Sequence, residues 1–183
     1  MQIRDWQEFY DSLIIEINPP EMEIWRPTVA DLDAFESETG FKLPQSYREF
    51  ILVFGPGTMA GAIEIAAPGY PAEESFFNLA YRNTRRESPS DWPEEQQDRI
   101  GRLFYFGLYS DEHGLGWDPA EVTDSAAPEY SVWEMRQDLT EHPRGRNFRV
   151  ALEEMCEPLF ANDNDPELAY RPWRSFEPAP FPD

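Results

Sequence analysis

The chain has 183 residues, of which 40% are hydrophobic and 15% aromatic, a composition that excludes intrinsic disorder and suits one folded domain. Its 36 acidic and 15 basic residues give a formal net charge of −21. Because binding to a phosphate backbone depends on Lys and Arg, this charge argues against DNA, RNA and anionic lipid as partners and favours basic proteins. No stretch approaches the roughly 20 apolar residues of a membrane span, and a single cysteine cannot form an internal disulfide. We therefore expect a soluble, cytoplasmic protein.

The first 24 residues have the pattern of an amphipathic helix. Apolar residues from Ile3 to Ile17 share one side of a helical wheel, and Asp, Ser and Glu residues occupy the other side. Two prolines at positions 19 and 20 remove backbone donors and disfavour helix in the residue before them. The pattern therefore predicts one long surface helix that stops at Asn18.

Two further helices are predicted before residue 55. Thr28 is a good N-cap, and Gly40 is a typical end for a helix whose buried side carries Val29, Leu32 and Phe35. A proline suits the first turn of the next helix, residues 44–54, which has an apolar side of its own.

The period changes from helical to alternating after residue 57. Short β-type runs occur at residues 62–66, 76–81, 103–109 and 130–135, and residues 82–93 read as a polar loop that gives way to one or two helical turns over 93–100. A polar turn after the third run returns the chain as a hairpin through residues 115–117. A final helix is predicted at about 146–160, followed by a Pro-rich, acidic and irregular tail over 161–183, packed on the domain or on a partner.

This order of elements predicts the fold class. Helices come first, then strands with short connections, then a helix, which is typical of an α+β fold and not of alternating βαβ units. We expect a single domain over residues 1–183 with its core at about 25–160. Its mostly antiparallel twisted sheet should be packed by the N-terminal helices and the C-terminal helix.

The sequence contains little recognisable catalytic chemistry. Neither His113 nor His142 lies in a hydrolytic motif, and Cys156 falls near the apolar side of the last helix, where a thiol packs as a small hydrophobe. The acidic run at 162–167 lacks the glycine and the final glutamate of a calcium loop. We therefore expect no metal, no cofactor and no enzymatic activity, although paired carboxylates among so many acids leave an enzyme open as an alternative.

Residues 25–55 resemble the opening of the SMI1/KNR4 family, the SUKH superfamily of domains. That family has a short helix of the pattern "lE..lG..LP" followed by "Y..Fl...nG". The stretch 103–118 is similar to the central strand, polar turn and second strand of the family, and the whole resemblance covers about residues 25–160. The matching residues here are Leu32, Phe35, Glu36, Gly40, Leu43, Pro44, Tyr47, Phe50, Ile51 and Gly55.

The resemblance implies a binding role and carries over no catalytic residue. Bacterial SUKH domains are commonly immunity proteins that neutralise polymorphic toxins, often nucleases or deaminases, whereas eukaryotic members imply a cellular scaffold or regulator. We expect an immunity protein that occludes a basic toxin domain, with the scaffold as the alternative; the oligomeric state stays open. The candidate partner-binding carboxylates are Glu73, Glu74, Asp111, Glu112 and Asp118.

The acidic charge is concentrated at the ends of the chain. Residues 1–40 carry a net charge of −8, residues 41–152 carry −7, and residues 153–183 carry −6. The segments that flank the predicted core are therefore the most acidic parts of the chain.

Overall fold

A computed structural model describes residues 1–18, 20–70, 93–110, 113–136, 138–168 and 170–180. In this part of the chain the helices are α1 (Trp6–Asp11), α2 (Val29–Thr39), α3 (Gln45–Phe54), α4 (Glu94–Arg102) and α5 (Phe148–Ala161). The strands are β1 (Ile14–Ile15), β2 (Gly57–Met59), β3 (Ile63–Ile65), β4 (Phe104–Tyr109), β5 (His113–Asp124), β6 (Glu129–Met135), β7 (Glu141–Gly145) and β8 (Ser175–Pro178).

The strands form one sheet in the order β1-β8-β2-β3-β4-β5-β6-β7, and every pair is antiparallel except β1 with β8. The predicted α+β class is confirmed, as are the strands near 62–66, 103–109 and 130–135 and the β4–β5 hairpin. The predicted strand at 76–81 and the loop up to residue 92 lie outside the described residues.

The predicted caps of α2 are confirmed. Thr28 and Asp31 form a reciprocal capping box, and Gly40 ends the helix at a φ of 71°, in the left-handed region that favours glycine. Leu32 is fully buried as expected, but the prediction for Val29 is wrong: its side chain is 53% exposed. Val29 is the first residue of the helix and lies outside the side of the helix that packs on the core.

The first helix is shorter than its sequence pattern predicts. It ends at Asp11, and Ile14 and Ile15 leave the helix to pair in parallel with Ser175 and Phe176 of β8. Two consecutive β-branched residues suit a strand better than a helix, and the open backbone of β8 supplies the tertiary partner. Strand pairing thus overrides a helical periodicity that continues to residue 17.

The prediction of an irregular tail is also wrong for residues 175–178. These residues form β8, which lies between β1 and β2, and Phe176 is fully buried with its ring 5.1 Å from that of Phe54. At the other end of the chain, Trp6 packs edge-on against Phe50 at 5.3 Å. Both terminal segments therefore contribute directly to the main core.

The two faces of the sheet are covered unequally. The first face carries the main core, in which α1, α3 and α5 pack on rings such as Phe106 and Trp117. On the second face, α4 contributes Ile100 to a small cluster with Leu103 and Met135. The second face therefore depends more on polar contacts to hold its helix.

Truncating Phe176 to alanine tests whether the C-terminal strand belongs to the folded core. Because this ring is fully buried, we expect the free energy of unfolding to fall by about 3–5 kcal/mol, measured by urea denaturation. Ile14→Ala on the neighbouring strand is the matched control, since its side chain is 56% exposed and its loss should cost roughly 0.5 kcal/mol or less. Equal effects of the two substitutions would contradict this placement of β8.

Candidate partner-binding site

One end of the sheet collects its tight turns. Met59 lies opposite both Ile63 and Phe176, and Ile63 lies opposite Tyr109, so the β2–β3 turn, the β4–β5 turn and the loop that enters β8 share this end. The β6–β7 turn joins them because Gly114 at the start of β5 pairs with the last residue of β6. We call the described residues of these connections the hairpin edge: 60–62, 110, 113, 138–140, 162–168 and 170–174.

Four of the five predicted partner-binding residues cannot be placed from the structure. Glu73, Glu74, Asp111 and Glu112 lie outside the described residues. Asp118 lies in β5, five residues beyond the hairpin edge, on the second face of the sheet. Its role in partner binding stays a prediction.

The carboxylate of Asp118 is fully buried and bound by arginines from α4. Arg102 donates from Nε and Nη2 to the two carboxylate oxygens, each at 2.7 Å, and Arg99 donates from Nε at 3.3 Å. Burial alone would raise the pKa of Asp118, but the hydrogen bonds from Arg102 and the Ala120 amide hold it below its ordinary value. The side chain therefore anchors α4 to the sheet, and a partner would meet the arginines first.

Arg99 extends this cluster across three strands. Its guanidinium contacts Glu121 of β5 and Glu141 of β7, and it stacks 3.8 Å from the centre of the Trp133 ring. Trp133 in turn donates its indole N–H to Glu121 at 3.1 Å. Charge pairing and cation–π stacking thus hold a helix that has few apolar residues.

A second buried carboxylate, Glu134, lies near the hairpin edge on the main-core side. Arg136 donates to its Oε1 at 2.8 Å, Arg144 binds its Oε2, and Nδ1 of His113 lies 2.7 Å from Oε1 without hydrogen-bond alignment. Burial alone would raise the pKa of Glu134, but the two arginines hold it below its ordinary value. His113 therefore lies beside a buried acid.

Glu36 and Glu129 are also buried acids, and neither was singled out as a buried carboxylate from the sequence. Glu36 accepts hydrogen bonds from Lys42, Arg48 and the amide of Leu43, which ties α2 to α3. Glu129 accepts from both the amide and the hydroxyl of Ser46 at the start of α3, and burial raises its pKa.

A sequence signal for two of these acids exists. Glu36 follows Leu32 by four residues, so the two share a helix face, and Glu134 alternates with Tyr130 and Val132 along β6. An acidic residue at a position where the helical or the strand pattern places apolar residues therefore predicts a buried carboxylate that needs cationic partners.

The described residues show no assembled catalytic or metal centre. The Cys156 thiol is fully buried, and burial raises its pKa far above the ordinary value. No three His, Cys, Asp or Glu side chains within the described ranges converge as a metal site requires. In the same ranges, no helix combines the length and apolar character needed to cross a bilayer.

A family model, SMI1 / KNR4 family (SUKH-1), matches residues 26–149. The chain belongs to this family. Members of the SUKH-1 family are commonly immunity proteins of polymorphic toxin systems and are generally non-catalytic. No curated protein and no solved structure matches the chain.

The SUKH-1 motif residues have structural roles in this chain. Glu36 ties two helices together, Gly40 ends one helix, and Pro44 precedes the next. Tyr47 is fully buried, and its hydroxyl donates to the carbonyl of Ala66 at 2.5 Å. The motif therefore identifies the fold and leaves the choice of partner to other residues.

The two acids of β6 should respond to pH in opposite directions. The pKa of Glu134 is lowered on folding, so its ionised form stabilises the fold above the ordinary value of 4.5, and this contribution is lost as the pH falls below it. Glu134→Gln should cost about 3–5 kcal/mol at pH 7, and the deficit should shrink on acidification.

Glu129→Gln is the matched variant, since this acid is also buried but its pKa is raised. Ionising it therefore costs stability as the pH rises above 4.5, and Gln avoids that cost. The stability of Glu129→Gln relative to the wild type should increase between pH 4 and pH 7, measured by urea denaturation. Parallel pH trends for the two variants would refute this assignment.

Proposed function

We propose that this SUKH-1 protein is an immunity protein that neutralises a cognate polymorphic toxin, a nuclease or a deaminase, by binding and occluding it. The match to the SUKH-1 family over residues 26–149 carries the proposal. A toxin that acts on nucleic acid needs Lys and Arg to hold phosphate, and these residues form the surface that an acidic protein covers.

The charge of the chain supports this choice of partner. A net charge of −21 attracts a basic domain at distances longer than those of direct contacts. This attraction raises the association rate constant more than the final affinity. Affinity would come from a few apolar anchors that the complex buries.

The arginines of α4 limit which carboxylates can attract a basic partner. Asp118 is neutralised by Arg102 and Arg99, so in this proposal it positions α4 and does not act as an exposed negative charge. Long-range attraction instead comes from exposed acids of the terminal segments, such as Glu8 on α1 and Glu154 on α5. The other four candidate residues (Glu73, Glu74, Asp111 and Glu112) stay candidates for direct contact.

Co-expression tests the proposed function. The chain is produced together with the product of the toxin-like gene next to its own, and growth and complex formation are measured. We expect rescue of growth and co-purification of a stable complex. Failure of both, with the toxin shown to be active, would refute the proposal and favour a cellular scaffold. A toxin from an unrelated locus is the control and should not be neutralised.

Salt dependence tests the electrostatic part of the mechanism. The association rate constant should fall from about 10⁸ M⁻¹s⁻¹ at low salt towards about 10⁶ M⁻¹s⁻¹ at high salt. Neutralising two exposed acids, in Glu8→Gln with Glu154→Gln, should lower the low-salt rate and leave the dissociation rate unchanged. Deleting residues 1–24 would not isolate charge, because Trp6 and Phe9 belong to the core. An association rate that is independent of salt would contradict steering by charge.

A further inference from the structure

The hairpin edge contains three residues whose backbone lies in the left-handed region, which is unfavourable for their side chains. Among the described residues, the non-glycine residues with positive φ are Ala60, Ser110 and Leu139, at 53°, 54° and 62°. Each lies in a different turn, and all three turns are at the same end of the sheet. Such turns ordinarily use Asn or Gly, which adopt the left-handed region at less cost.

Leu139 departs from expectation in a second way. It is a bulky apolar residue, yet 39% of its surface is exposed, so burial compensates only in part for its backbone strain. Asp138 beside it forms a tight turn by accepting from the amide and hydroxyl of Thr140. These hydrogen bonds define the conformation of the turn, and its leucine is partly exposed to solvent.

Exposed apolar side chains recur along the same edge. Tyr170 is 72% exposed, the highest value among the large apolar residues of the described chain, and Leu168 is 38% exposed. Ile14, at the start of β1, is 56% exposed. Single exposed apolar residues are ordinary on a protein surface, but here several occupy one end of one sheet.

The loop that carries Tyr170 is held by hydrogen bonds to Asp163 and by the buried ring of Trp173. The carboxylate of Asp163 accepts hydrogen bonds from the amides of Trp173 and Arg174, at 2.7 and 3.1 Å. The Trp173 ring is buried, contacts the Tyr170 ring at 5.8 Å, and donates its N–H to the carbonyl of Leu168 at 2.8 Å. The loop that carries Tyr170 is therefore held by contacts within the chain, and such preorganisation reduces the entropic cost of binding.

Arg171 joins this loop to the β2–β3 turn. Its Nη2 donates to the carbonyl of Ala60 at 2.6 Å, and its guanidinium lies over the Trp173 ring. Glycine suits position 61 because its φ is 57°, in the left-handed region, and because a Cβ there would displace the guanidinium group of Arg171. A further hydrogen bond, from the Ser110 amide to the Ala62 carbonyl, joins the β4–β5 turn to the β2–β3 turn, so the loop and these two turns are connected.

From these observations we infer that the hairpin edge is the surface that binds the partner, with Tyr170, Leu168 and Leu139 as its apolar anchors. In the order of the sheet, strands β8 to β7 span six strand spacings, about 29 Å, which matches the width of a standard interface of roughly 800 Å² per partner. Exposed acids, including Asp138 and Glu167, lie beside the anchors and form a rim suited to Lys and Arg.

The occupant is a basic protein domain, and this identity rests on the proposed function. A second copy of this chain is disfavoured, because two molecules with a charge of −21 repel each other and present acids to acids. A basic domain is instead attracted by the acids of this rim.

Two substitutions test the hairpin edge against the catalytically inactive product of the adjacent toxin gene, by titration calorimetry. Tyr170→Ala and Leu139→Asn should each raise the Kd about tenfold or more. Asn adopts the left-handed region readily, so Leu139→Asn should melt at or above the wild-type temperature while binding less well. Val122→Ala is the matched control, because Val122 is 54% exposed at the far end of β5 and should leave the Kd unchanged.

The outcomes separate this inference from the proposed function. If the wild-type chain binds the toxin and both edge variants bind within about twofold of it, the inference is overturned and the proposed function stands. If the wild-type chain does not bind, the proposed function fails. A marked loss of stability in Leu139→Asn would contradict the strain argument. A self-associating wild-type chain that Tyr170→Ala turns into a monomer would identify a second copy as the occupant and overturn the basic partner.

Discussion

The rest of the structure depends on the insertion of the last strand, β8, between β1 and β2. Among the described residues, only β8 gives β1 a backbone partner, and Phe176 packs beneath α3 beside Phe54. The loop that leads into β8 must consequently cross the end of the sheet, which places Trp173 and Tyr170 at the hairpin edge. One pairing of strands thus closes the core, orders both ends of the chain and adds a loop to the turn surface.

Arginine has a specific use in this highly acidic protein. Fourteen of its fifteen basic residues are Arg, and several of them bind buried carboxylates, as Arg102 does with two parallel hydrogen bonds to Asp118. A planar guanidinium suits that geometry better than a lysine ammonium does. Because buried acids such as Glu134 take up these arginines, less positive charge is left to offset the exposed acids.

Local signals in the sequence were sufficient for much of the fold. Thr28 and Gly40 bound a helix because capping depends on neighbouring residues only, and the strands of the β4–β5 hairpin follow from alternation and a polar turn. The exit of Ile14 from its helix and the strand at Phe176 were not predictable in this way. Each depends on a partner about 160 residues away in the sequence, and no local period reports a contact of that range. The buried acids fall between these cases. An acid at an apolar position of the pattern can be recognised from the sequence, but which of the nearby cations pairs with it depends on the fold, as for Arg136 and Arg144 with Glu134.

Buried and exposed residues lie close together in the segment before β8, so one short loop contributes both to the fold and to the proposed binding surface. Trp173 is buried and organises its loop, whereas Tyr170, three residues earlier, is exposed. This loop lies outside the range that matches the family, so its exposed residues can differ between relatives without disturbing the motif that holds α2 to α3. Leu139, in contrast, lies inside the matched range. Its φ of 62° is unfavourable for a leucine and its side chain is 39% exposed, so neither the turn geometry nor the core fully accounts for a leucine at this position.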